Sequence, residues 1–152
     1  MNHRANLAAR MKRIRQFVEL SPQERSLLLR AVILVATVRL ALWTMPFGAV
    51  RQLLGKRRTV STRLAAISAK RLSWAVQAAA RRIPAASCLT QALALQHLLA
   101  RAGHPAELHI GVAKDAARGF QSHAWVEYRG QILLGDNGEL EHYSPMLALK
   151  ED

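Results

Sequence analysis

The sequence predicts an α+β domain, helices first and a small antiparallel sheet after them. Three observations predict it. Residues 21–102 carry apolar side chains at helical spacing, punctuated by Ser, Thr and Pro where helices start. Beyond Pro105 the apolar period falls to two. The pair Arg129-Gly130 then separates two alternating runs at hairpin distance. A run of helices followed by a run of strands is the α+β pattern. At 152 residues, 51% of them hydrophobic, the chain has the size for one core and the composition of a folded one. Residues 1–152 therefore read as a single domain, helical over 1–83 and mixed over 84–152.

Each element has a local reason. Residues 1–20 set Leu7, Ile14, Phe17 and Leu20 at helical spacing among Arg4, Arg10, Lys12, Arg13 and Arg15, a helix with a solvated charged face. Ser21-Pro22-Gln23-Glu24 opens a second helix: Ser21 caps, Pro22 takes the first position and Glu24 closes a capping box. That helix runs over 22–44 and is apolar almost throughout. A membrane span needs about 20 nearly uncharged residues, and Arg30 and Arg39 interrupt this one. It reads as a buried core helix, or as one that packs on a partner protein, and membrane contact is not expected. Pro46 ends it. Residues 47–58 read as a short helix or turn closing on the basic cluster Lys56-Arg57-Arg58, and 63–83 as one further helix.

Pro84 stops that helix. Ser87 caps the next, which runs from Cys88 to about Ala102 and ends at Gly103. Leu108, Ile110 and Val112 then alternate with Glu107, His109 and Gly111 as a strand. Residues 114–121 read as a polar loop, 122–128 as a second strand and 131–134 as a third. Residues 135–138 read as a tight turn, and 139–152 as a short mixed tail.

Charge and cysteine content narrow the function classes. The chain carries 22 Lys+Arg against 10 Asp+Glu, a net charge of +12. No nucleic-acid module is recognisable and aromatics for base stacking are few, so nucleic acid is not the expected partner. An acidic peptide or protein, or a bare compositional bias towards Arg and Ala, accounts equally for the charge. The single cysteine allows no internal disulfide, which suits a reducing, cytoplasmic compartment, and no signal peptide is evident. One cysteine and scattered histidines give no zinc-ligand spacing, and no Gly-rich phosphate loop occurs; no metal or cofactor is expected.

The chemistry-bearing stretch is Ser87-Cys88-Leu89-Thr90-Gln91-Ala92. A thiol in the first turn of a helix faces unpaired N–H groups and the positive end of the helix dipole, which favour its nucleophilic anion. A cysteine nucleophile also needs a histidine and a group to orient it. His97 lies nine residues along the same helix, about 13 Å away along the axis, too far to serve. His104 is farther still, and His3 lies in the tail. His109 and His142 stay open. His123 begins a strand after a polar loop, with Trp125 and Glu127 on its face and Ala124, Val126 and Tyr128 on the other. Asp136 closes the returning strand near the same end, where its carboxylate could accept the second ring N–H of His123; Asn137 is the alternative. The Cys88 backbone N–H is one expected oxyanion donor. A lone cysteine is more often a small buried hydrophobe, and a strand histidine more often structural; it is their order together that points to catalysis.

Ser87-Cys88-Leu89-Thr90-Gln91-Ala92-Leu93-Ala94-Leu95, with His97-Leu98-Leu99 and Gly103 behind it, resembles the lasso-peptide maturation proteases. So do His123-Ala124-Trp125-Val126-Glu127, Gly135-Asp136, and upstream Glu24-Arg25 and Arg39-Leu40-Ala41-Leu42-Trp43. These are transglutaminase-like, papain-like cysteine peptidases related to the microcin-processing protein. The resemblance implies a Cys88–His123–Asp136 triad that removes the leader from a ribosomally made precursor peptide. A separate asparagine-synthetase-like cyclase then closes the freed core. Many members carry an additional leader-recognition domain. This chain resembles the split form, which implies a separate leader-recognition protein as partner. A transglutaminase-like acyltransferase, or a non-catalytic basic binding module of the same fold, is the alternative.

Overall fold

The computed structural model describes residues 20–55, 59–115 and 119–149. The basic stretch before Leu20 and the Lys56-Arg57-Arg58 cluster lie outside them. Five helices lead into one sheet: α1 Pro22–Thr44, α2 Phe47–Gly55, α3 Thr62–Ala65, α4 Ala69–Ala80 and α5 Cys88–Arg101, then β1 Glu107–Asp115, β2 Gly119–Tyr128, β3 Gln131–Leu134 and β4 Ser144–Leu149. The architecture is α+β, as the sequence predicts.

The capping box at α1 forms in full. Ser21 Oγ accepts from the Glu24 N–H, and a Glu24 carboxylate oxygen accepts from the Ser21 N–H at 2.9 Å. Glu24 also pairs with Arg71 of α4, which ties the start of α1 to its neighbour. Only one face of α1 is core. Leu27, Leu28, Ala31, Val35 and Val38 are buried against α4 and α5, while Leu29, Ile33, Leu40 and Trp43 face outward. By length and composition α1 could cross a membrane, and 28% of its most apolar window is buried inside the protein.

The single helix expected over 63–83 is two. Ser68 accepts from the Arg71 N–H and restarts the chain as α4, so the short α3 stands apart. A serine four residues into an apolar run reads as a tolerated interior residue; here its capping bond prevails. α5 is the central element. Every residue from Ala92 to Leu99 is buried, with α1 and α4 on one side and the sheet on the other. Full burial of Leu93, Leu95, Leu98 and Leu99 contributes about 2 kcal/mol each. Gly103, at φ +74°, ends the helix as expected.

The sheet is antiparallel throughout, in the order β3-β2-β1-β4. Two of its features depart from the sequence reading. Most of the expected polar loop at 114–121 is strand: Lys114 pairs with Phe120 and Asp115 with Gly119. The ladder continues past the apolar alternation because backbone pairing needs no apolar side chain. The tail forms β4, which covers the open edge of β1. Its pairing is non-local, and Pro145 within it argues against a strand except at an edge, where it sits. Arg129 and Gly130 both take positive φ, +51° and +74°, as a tight two-residue hairpin requires. The buried Gln96 of α5 donates to the Leu149 carbonyl at 2.9 Å and fastens β4 to the helix layer.

Candidate active site

Cys88 is the first residue of α5. Ser87 caps the helix, its Oγ accepting from the Thr90 N–H at 3.2 Å and lying 3.0 Å from Thr90 Oγ1. The first helical backbone bond runs from the Gln91 N–H to the Ser87 carbonyl. The N–H groups of Cys88 and Leu89 have no acceptor among the described residues, so two donors stand beside the thiol. The Leu89 N–H is thus available beside that of Cys88 as a second donor. The thiol is half-buried, leans on the core, and makes no hydrogen bond among the described residues.

The approach to Cys88 is a reverse turn over residues 83–86. Pro84 and Ala85 occupy its centre, and the Ala86 N–H lies 3.3 Å from the Ile83 carbonyl. Ala85 has φ +56°, a left-handed backbone in which its Cβ is strained. The Gln91 side chain donates to the Ala86 carbonyl at 3.0 Å, bracing the turn from the helix it leads into.

His123 sits on β2, opposite Gly111 of β1. Alternation sends Ala124 and Val126 into the core against α5, and His123 and Trp125 to the other face of the sheet. There the imidazole is held between two aromatic rings. Trp125 is nearly parallel at 6.4 Å between centroids and Tyr143 is tilted at 5.3 Å. Gly111 leaves the room for this: a Cβ on it would stand 3.0 Å from both the Trp125 ring and Tyr143 Cβ. Trp125 stacks in turn on His109, which lies 3.6 Å from Glu127 and 3.8 Å from Glu107.

The sequence points to the Asp136 carboxylate as the partner of His123, and the structure corrects this. The atom in contact is the backbone carbonyl of Gly135, 2.6 Å from His123 Nε2. A carbonyl only accepts, so Nε2 carries the proton, and in the neutral ring Nδ1 is the free basic nitrogen. The role foreseen for the carboxylate, fixing the tautomer, thus falls to an atom one residue earlier. No residue-type signal could have found it, because every residue has a carbonyl. Asp136 is exposed; its Oδ1 accepts from the Gly138 N–H at 3.0 Å, and Asn137 Oδ1 likewise from the Glu139 N–H. Asp136 also lines an open groove of about 590 Å³ between α4 and β3, together with Ser73, Trp74 and Gln77. Ser73 Oγ donates to the Leu133 carbonyl at 2.5 Å and fixes that wall.

The fold therefore brings His123 to the Gly135–Asp136 corner and puts Cys88 on a donor-rich helix end. It does not join thiol and imidazole by a hydrogen bond among the described residues. The other histidines have separate places. His97 is buried in α5; His104 Nε2 lies 2.9 Å from the Ile67 carbonyl; His142 is exposed in the short turn before β4. No group of three or more His, Cys, Asp or Glu suited to a metal ion occurs among the described residues.

A cysteine opening the central helix of an α+β domain and a histidine on its sheet are the residue types that cysteine acyl-transfer enzymes use. The family model of the transglutaminase-like superfamily matches residues 31–148, and the chain belongs to that superfamily, whose members are generally cysteine peptidases and acyltransferases. No curated protein matches the chain, and no solved structure matches it.

Proposed function

We propose that this protein is a cysteine peptidase that cuts the leader from a ribosomally made lasso-peptide precursor. The observation that carries the reading is Cys88 at the first position of α5, beside two unpartnered N–H groups, in a chain of the transglutaminase-like superfamily. The Cys-helix and His-Ala-Trp-Val-Glu motifs supply the narrower substrate class by resemblance.

The chemistry follows from the groups present. The Cys88 thiolate attacks the scissile carbonyl carbon, and the C=O electrons move onto oxygen. The N–H groups of Cys88 and Leu89 stabilise that oxyanion. His123, holding the thiol proton on Nδ1, passes it to the leaving amine as the C–N bond breaks. Water, deprotonated by the same nitrogen, then opens the thioester and restores the thiol. The Gly135 carbonyl keeps the ring in the required tautomer; in this reading the Asp136 carboxylate, bonded in the free chain to the Gly138 N–H, turns to supply negative charge to the imidazolium. In this reading the thiol–imidazole contact forms when the precursor, presented by a separate leader-recognition protein, occupies the site. The asparagine-synthetase-like cyclase acts next, in the same cytoplasmic compartment.

The test is mass spectrometry of the precursor peptide incubated with the chain, with and without the recognition protein, as wild type and as Cys88→Ala. The expected result is a leader-sized mass loss that requires the thiol. No cleavage in any combination, cyclase included, would refute the peptidase reading. An amine adduct in place of a hydrolysed product would identify an acyltransferase, since the two reactions share the thioester and differ only in the acceptor.

A further inference from the structure

The outer face of α1 is unaccounted for by the core and by the site. Leu29, Ile33, Leu40 and Trp43 are 59%, 59%, 58% and 77% exposed on a helix whose opposite face is buried. With the exposed Ala36 between them, their spacing is 4, 3, 4, 3, that of the apolar seam in a two-stranded coiled coil. The seam extends about 21 Å along the axis. It is narrow: at about 100° per residue, Arg30, Thr37 and Thr44 border it on one side and Arg39 on the other, where the half-buried Val32 leans on the core. A helix lying in a lipid interface presents a broad apolar face; a strip this thin suits a single partner helix.

The bordering charges select the partner. The positions that face across a coiled coil carry Arg30 and Arg39 and no acid. Glu24, the one acid of α1, is taken up by its cap and by Arg71. A second copy of this chain would set arginine against arginine. A helix with apolar residues at heptad spacing and Asp or Glu beside them would pair both, and the net charge of +12 draws such a partner in. We infer that α1 is a docking seam for an acidic amphipathic helix of another protein. The inference is independent of the cysteine chemistry, since its readout is binding and a Cys88→Ala chain serves equally well.

The experiment uses the full chain and a labelled synthetic peptide of three heptads, Leu at both seam positions and Glu at both bordering positions, read by fluorescence anisotropy. A twin peptide has Lys in place of Glu. The acidic peptide is expected to bind saturably, at least tenfold tighter than its twin. Ile33→Ser with Leu40→Ser, which leaves every charge in place, should weaken it at least tenfold with the circular dichroism spectrum unchanged. Arg30→Glu with Arg39→Glu should reverse the preference between the two peptides. Three results would each overturn the inference. One is acidic-peptide binding that ignores the seam substitutions. The second is seam-dependent sedimentation with phosphatidylglycerol vesicles without peptide binding, which would make lipid the occupant. The third is a concentration-dependent dimer abolished by Ile33→Ser and Leu40→Ser, which would make it a second copy.

Discussion

Single residues set the reacting groups, and one of the most consequential has no side chain. Gly135, at φ +88°, has no room for a Cβ, which would stand 2.6 Å from the Ala124 carbonyl oxygen and 2.8 Å from Trp125 Cβ. Gly135→Ala should therefore destabilise the fold by about 2–3 kcal/mol in urea titration and displace the carbonyl that holds His123. If the His123 ring keeps its NMR shifts in that variant, the Gly135 carbonyl is not what orients it. Asp136→Asn preserves the turn, because the amide oxygen still accepts from the Gly138 N–H, but removes the charge. It should lower kcat for precursor cleavage about 100-fold with little change in KM. An unchanged kcat would leave the Gly135 carbonyl as the whole of the third group. Cys88 and His123 are legible in the sequence as candidate reactive groups, and so is the Gly135–Asp136 corner where His123 is held. The atom in contact is not, since a carbonyl has no sequence signature.

At the level of elements, the turn before α5 and the tie to β4 invite measurement. Ala85 sits at φ +56° in the turn that leads to Cys88, a conformation glycine adopts without Cβ strain. Ala85→Gly should raise stability by up to about 1 kcal/mol, the relief of strain less the added freedom of the unfolded chain. A loss of stability there would show that the turn is held by packing and not opposed by Ala85. Gln96→Met keeps the volume but strips the Leu149 carbonyl of its donor. About 1–3 kcal/mol of lost stability is expected, with faster amide exchange in β4 than in β2. Caps and turns were legible where one residue type is required, as at Ser21, Ser87, Gly103 and Arg129-Gly130. The break at Ser68 and the strand at Ser144–Leu149 were not. The first needed a choice between two conformations tolerable for serine, and the second a partner strand more than thirty residues away.

The whole molecule is a helix sandwich closed by a sheet, with α5 as its shared centre. Leu95, fully buried there, has no exposed wall towards which a cavity could collapse. Leu95→Ala should cost about 3 kcal/mol and lower Tm by roughly 10 °C, cooperatively across helix and sheet probes. Separate transitions would mean that the helical and sheet halves fold as two units.

The sequence by itself determined the class: helices before a small antiparallel sheet, one thiol at a helix start, and a histidine returning beside a glycine-aspartate corner. These follow from periodicity, capping and turn chemistry, which act over a few residues. Tertiary structure alone decided which face of each element meets which. It buried one side of α1 and left the other as a seam, set His123 between Trp125 and Tyr143 on the outer face of the sheet, and gave its N–H to a backbone carbonyl. Such outcomes depend on contacts between residues far apart in the chain. No local pattern encodes them, because the free energy that selects among them exists only once the layers pack.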